Sequence, residues 1–270
     1  MELLDIFGYI AALVIGVVLG LIGGGGSILT VPVFVYIFAI NPVTATAYSL
    51  FVVGVSALVG AIQNIRKGLV EFKTAIVFAI PAFIAVYVTR RFIVPTIPEK
   101  LFNIGEFTMT KDIGIMVFFA LIMLAAAYSM IVNKHPEPKA GEAIQYNYPL
   151  IIVEGFVIGF LTGIVGAGGG FLIIPALVLF AKLPMKQAVA TSLLIIAIKS
   201  LIGFIGDVET MTIDWNFLLV FTLLSVFGIF VGVWLNRFID GKKLKNAFGW
   251  FVFIMAIYIL LKEFWGLPAG

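Results

Sequence analysis

Two stretches of this 270-residue chain present backbone that could do chemistry without side chains. Gly23, Gly24, Gly25 and Gly26 stand in a row before Ser27, inside the stretch from Gly20 to Pro32. The pattern returns as Gly166, Ala167, Gly168, Gly169 and Gly170, between Gly163 and Pro175. Each cluster interrupts an apolar run. Glycine loses the most freedom on ordering and packs no side chain, so several together weaken a helix. A helix that starts just beyond such a cluster exposes its first N–H groups and the positive end of its dipole. The chemistry this suits is anion binding. The expected site takes Gly24, Gly25, Gly26 and Ser27 from the first stretch and Gly168, Gly169 and Gly170 from the second. Ser49 and Ser192, with Thr46 and Thr191 beside them, supply hydroxyl donors. Lys199 adds a cation: Ser192 seven residues before it and Gly203 four after it share its helical face. The competing reading of Lys199 is a structural lysine paired with Asp207 or Glu154.

Small residues also let membrane helices pack closely. One isolated cluster would be read that way, as Gly60, Gly203, Ala45 and Ala188 are. Two matching clusters, each leading into a short proline-bearing segment, favour the site. A nucleotide-phosphate loop needs Gly-Lys-Ser/Thr after the glycines, which neither copy has. The chain has no cysteine, and its single histidine, His135, sits in the polar stretch Asn133 to Glu142. Thiolate chemistry and histidine-based metal or acid–base chemistry are therefore not expected, and neither a metal nor a cofactor is called for.

The residues are 62% hydrophobic and 11% charged, with a mean hydropathy of +1.19. A soluble domain carries roughly 25% charged residues. The composition is that of an all-α polytopic membrane protein, with the lipid bilayer as its surroundings. The net charge of +3 is modest and its bases lie at segment ends, so no nucleic acid is expected. Met1 to Asp5 carries two acids where a signal peptide would be basic, so no cleavable signal is expected.

Ten segments follow from the apolar runs, at about 6–22, 27–39, 43–62, 74–94, 113–132, 149–165, 171–181, 186–205, 217–235 and 244–264. Pro81 marks an expected kink in the fourth, and the polar stretch from Pro95 to Lys111 reads as a loop. Residues 1–133 form a first transmembrane repeat, 134–148 a polar linker and 149–270 a second repeat, together one integrated domain. A shift of 143 residues aligns Gly20–Phe72 with Gly163–Trp215 without a gap. Gly23, Gly25, Gly26, Leu29 and Pro32 then meet Gly166, Gly168, Gly169, Leu172 and Pro175. Ala45, Ala47, Ser49 and Leu50 meet Ala188, Ala190, Ser192 and Leu193, and Glu71 meets Asp214. Five segments per copy should invert the second copy in the membrane. The charges agree on balance: Arg66, Lys67 and Lys73 face an acidic counterpart in Asp207, Glu209 and Asp214, and inside loops favour bases, although the stretch from Arg90 to Lys111 falls outside with four bases. Both termini are then expected outside. Segment two, with about 13 residues or 20 Å of helix, is short for a core of about 30 Å. Glycine-tipped, re-entrant or broken hairpins meeting near the midplane are therefore expected.

The paired glycine–proline motifs, with Ala45-Thr46-Ala47-Tyr48-Ser49 and Ala188-Val189-Ala190-Thr191-Ser192 after them, resemble the TauE/SafE sulfite exporter family over nearly the whole chain. The resemblance implies a prokaryotic-type plasma-membrane permease for small sulfur-containing or organic anions, such as sulfite or sulfonates. It leaves the individual substrate and the direction open. The leading expectation is a secondary carrier, with coupling to a proton or sodium ion open. A passive anion channel is the first alternative. An intramembrane serine–lysine enzyme using Lys199 as base is the second.

Overall fold

The computed structural model describes residues 3–24, 26–104, 107–132, 148–165, 170–179, 181, 183–208 and 211–265. The helices are α1 (Leu3–Ile22), α2 (Gly26–Tyr36), α3 (Pro42–Arg66), α4 (Phe72–Val88), α5 (Lys111–Val132), α6 (Tyr148–Val165), α7 (Gly170–Leu179), α8 (Met185–Val208), α9 (Trp215–Leu235) and α10 (Gly241–Trp265). Six of the apolar helical stretches are long enough to cross a membrane, and Ile6–Ile22 and Pro149–Val165 are shorter. Large apolar side chains such as Phe227, Leu223 and Ile254 stand more than half exposed on the outer faces, as a lipid-facing surface requires.

Two features differ from the sequence reading. Helix α4 carries Pro81 within it and then continues as a π-helical turn, Thr89–Ile93, and a 3-10 turn, Val94–Thr96. Arg90, expected at the outer end of the fourth segment, is thereby carried inside and is 1% exposed. The stretch read as loop also contains an antiparallel pair, β1 (Lys100–Ile104) with β2 (Phe107–Thr110). The expected linker, 134–148, lies outside the described residues except Tyr148, which opens α6.

The helices pair in a pattern that survives exchange of the first five for the second five. Helix α1 packs along α9 as α6 packs along α4; α3 packs on α9 as α8 packs on α4; α2 lies on α3 as α7 lies on α8. The pairs α3–α8 and α5–α10 map onto themselves. Leu50 lies by Gly203, Gly54 by Leu201 and Gly60 by Leu193, so α3 and α8 run antiparallel.

Glycine sets the closeness of these pairs. A Cβ on Gly16 would meet the Ser225 carbonyl, and one on Gly159 would meet the Ala82 carbonyl. The two contacts are related by the same 143-residue shift. Gly16 and Gly20 on α1 face Gly228 and Gly232 on α9, small residues at four-residue spacing on both sides of a membrane-helix interface. Two interhelical hydrogen bonds obey the shift as well. Glu71 N–H donates to Thr191 Oγ1 at 3.0 Å, and Asp214 N–H donates to Tyr48 Oη at 2.7 Å.

Helices α1 and α2 form a hairpin. Gly8, near the start of α1, packs under the Phe38 ring just beyond the end of α2, and Gly26 packs on Leu19 and the Ile15 carbonyl. The chain thus returns to the end from which it entered. Elsewhere, partial burial and then the charge of Arg237 hold the Lys67 ammonium below its ordinary range, so the basic stretches after α3 and α9 lie at one end.

Candidate functional site

The tip of the first hairpin is built by turn geometry. Helix α1 closes with Gly23 N–H donating to the Leu19 carbonyl at 2.8 Å. Gly23 has φ +81°, a left-handed conformation that glycine adopts without penalty. It lies against Ser192 Oγ and the Val189 carbonyl of α8. The next residue, Gly24, rests its backbone directly on the backbone of Gly170, the first residue of α7, and Ile196 of α8 lies over Gly170. A side chain at either glycine would overlap the backbone of the other. Gly24, Gly26 and Gly170 are therefore points of close backbone approach, and where Gly24 meets Gly170 the backbones themselves fill the space. Ser27 falls in the first turn of α2. Gly25, Gly168 and Gly169 lie outside the described residues.

The hydroxyls divide. Ser192 Oγ donates to the Val189 carbonyl at 2.8 Å. Ser49, its counterpart under the repeat, is buried with no hydrogen-bond partner for Oγ among the described residues. Ser200, next to Lys199, is likewise buried and unpartnered. Thr46 Oγ1 donates to the Val43 carbonyl at 2.7 Å, and Thr191 is taken by Glu71.

Lys199 is wholly buried on α8, and its Nζ donates to Thr162 Oγ1 of α6 at 2.8 Å. Neither carboxylate considered for it from the sequence is its partner. Asp207 is held by Arg90, and Glu154 Oε1 has no partner among the described residues. Thr162 lies in the last turn of α6, four residues before the second glycine cluster. Lys199 thus reaches the C-terminal end of α6, where a cation is favoured by the helix dipole.

The sequence reading missed a second cation at the same place. Arg90 Nε lies 2.9 Å from each carboxylate oxygen of Asp207, and Nη2 lies 2.8 Å from Oδ2. Its Nη1 donates to Thr46 Oγ1 at 2.9 Å and to the Gly163 carbonyl at 3.3 Å. Gly163 follows Thr162, so Arg90 and Lys199 grip adjacent residues at the approach to the second tip. One signal could have found the carboxylate of the pair. Asp207 is four residues beyond Gly203 and shares the inward face already assigned to Lys199. Two buried basic side chains meet one buried carboxylate here. Arg90 and Asp207 also line a cavity of about 290 Å³ with Asn41, Thr44, Lys111 and Asp112.

Comparison with known proteins is consistent along the chain. A family model described as sulfite exporter TauE/SafE matches residues 9–259. A probable membrane transporter protein of Bacillus subtilis, YunE, is 30% identical over 271 residues, covering 93% of each chain. A probable membrane transporter protein of Xylella fastidiosa is 28% identical over 260 residues, covering 94% of each. One of Methanocaldococcus jannaschii, MJ0441, is 37% identical over 117 residues, 41% of this chain and 44% of its own. No solved structure matches.

Proposed function

The chain belongs to the sulfite exporter TauE/SafE family, and from that footing we propose that this membrane transporter is a secondary carrier of small sulfur-containing or organic anions, sulfite and sulfonates among them. The observation that carries the reading is Lys199, wholly buried without a carboxylate partner among the described residues. A buried cation lacking a counter-charge is costly, and a small anion supplies one. Ser49 and Ser200, buried hydroxyls without partners, add donors nearby in sequence and in the repeat. The N–H groups at the start of α2 add the helix-terminal part of the site with Gly25, Gly26, Ser27, Gly168, Gly169 and Ser192, while Gly24 and Gly170, in backbone contact, hold the two tips together.

The antiparallel α3–α8 pair and the paired contacts of Gly16 and Gly159 support a duplicated, inverted plan. Such carriers alternate access by moving one repeat against the other around a fixed site. On this reading both termini lie on the outer side of a plasma membrane, and a proton or a sodium ion is the candidate coupling ion. The serine–lysine alternative gains no support, since Lys199 bonds to Thr162 and not to a serine. The test is flux of labelled sulfite, sulfate, thiosulfate and sulfonates into liposomes holding the pure protein. A carrier saturates and counter-exchanges; linear, non-exchanging flux would mean a channel, and no anion flux would overturn the reading.

A further inference from the structure

Arg90 lies between a cavity and the approach to the second hairpin tip, and its chemistry suits an oxyanion. Its Nε donates to both oxygens of Asp207, Nη2 lies 2.8 Å from Oδ2 without a hydrogen bond of its own among the described residues, and Nη1 donates to Thr46 and Gly163. Arginine presents a planar fork whose parallel N–H groups match two oxygens of a carboxylate, and a sulfur or phosphorus oxyanion offers the same pair of oxygens. Asp207 therefore occupies the seat that a small oxyanion would take.

The position of the seat gives it meaning. On one side lies the cavity of about 290 Å³ whose wall includes Thr44, Lys111 and Asp112. On the other lies Gly163, three residues before the second glycine cluster. Arg90 is on the extension of α4, in the first half, and Asp207 is on α8, in the second, so the ion pair ties the halves together between cavity and tip. The turn that carries Arg90 is π-helical, a local widening that occurs often at functional positions.

The repeat shows that the fold itself does not require this pair. The 143-residue shift brings Thr46 onto Val189, Gly163 onto Gly20 and Asp207 onto Asn64, while Arg90 falls on Val233. Asn64 merely donates to the Gly60 carbonyl of its own helix at 2.9 Å. An equivalent helix junction is thus built without ions, and the charged version exists at one end alone among the described residues.

We propose that Asp207 is a built-in stand-in for the transported oxyanion: it latches the cavity side by occupying Arg90, and an entering anion replaces it on the guanidinium as that side opens. The proposal rests on the transport reading but is tested without flux.

The chain has no cysteine, so Thr46→Cys, beneath the latch, and Thr44→Cys, on the cavity wall, report access separately. Each is reacted with a sulfonate-bearing methanethiosulfonate and with a neutral one of similar size, alone and combined with Asp207→Asn. Vacating the seat should speed the sulfonate reagent about tenfold or more at Thr46→Cys, as a focused positive site does for an anion. The neutral reagent should gain much less, and adding Arg90→Gln should erase the difference. Melting of each variant in detergent shows that it is folded, and Thr44→Cys supplies the same comparison if Thr46→Cys is not. Equal gains for both reagents, or no gain, overturn the proposal. Absent anion flux in liposomes with the reagent preference intact would instead count against the transport reading alone.

Discussion

The Lys199 Nζ donates to Thr162 Oγ1 at 2.8 Å, and the carbonyl of the adjacent Gly163 accepts from Arg90. Two cations from different helices therefore hold consecutive residues at the end of α6, beside the second glycine cluster. One of them has its carboxylate in Asp207. The other has a hydroxyl.

The ion pair should matter to stability in a way that double substitution reveals. Removing one partner of a buried pair leaves an uncompensated charge and costs about 3–5 kcal/mol. Arg90→Gln and Asp207→Asn should each lower melting markedly, and Arg90→Gln with Asp207→Asn should recover much of the loss. A double variant as unstable as the sum of both singles would show that the two act independently.

The equivalence of the halves can be tested at Gly16 and Gly159. Each faces a backbone carbonyl that has no freedom to move aside, Ser225 for one and Ala82 for the other. Gly16→Val and Gly159→Val should each destabilise by about 1–3 kcal/mol through overpacking. Comparable losses in both variants are expected from melting curves. Loss in only one would break the correspondence.

Much of this architecture is legible in the sequence, for identifiable reasons. All ten segments appear as helices within a few residues of their apolar limits, because glycine, proline and charge mark the ends. Asn41-Pro42 is such a mark: the Asn41 side chain accepts from Val43 N–H at 2.9 Å and Pro42 opens α3. The Arg90–Asp207 pair was not legible. Arg90 and Arg91 follow an apolar run as interfacial bases do, and nothing in the residue order announces a π-helical turn that carries one of them inward. The strands at Lys100–Ile104 and Phe107–Thr110 are too short for alternation to stand out in a polar stretch. For Lys199, helical spacing gave the inward face, whereas its acceptor on α6 depends on tertiary packing.

Topology supplies another test. Lys67 and Met211 belong to ends that the charge bias assigns to opposite sides, cytoplasmic for Lys67 and external for Met211. Single cysteines at the two positions should react with an impermeant thiol reagent from opposite faces of sealed vesicles. Reaction from the same face would rule out the inverted arrangement.

The meeting of the hairpins predicts a steric effect. Gly24→Val and Gly170→Val each place a side chain into the opposing backbone. Both should abolish transport and lower melting, whereas Gly68→Ala, at a loop glycine with open space around it but φ +68°, should cost only about 1–2 kcal/mol. Normal flux with valine at both tips would mean that the contact is dispensable.

The central claim is that Lys199 holds the transported anion, and ligand-induced stabilisation tests it most directly. A ligand that binds the folded protein alone raises its melting temperature with the logarithm of its concentration above the dissociation constant, on the order of 5 °C at one hundred times that constant. Sulfite, with the sulfonate methanesulfonate beside it, should produce such a shift in the unaltered protein. Lys199→Gln, which keeps a donor for Thr162 but removes the charge, should melt normally without ligand and lose the shift, and Lys199→Arg should retain part of it. An undiminished shift in Lys199→Gln would contradict the account.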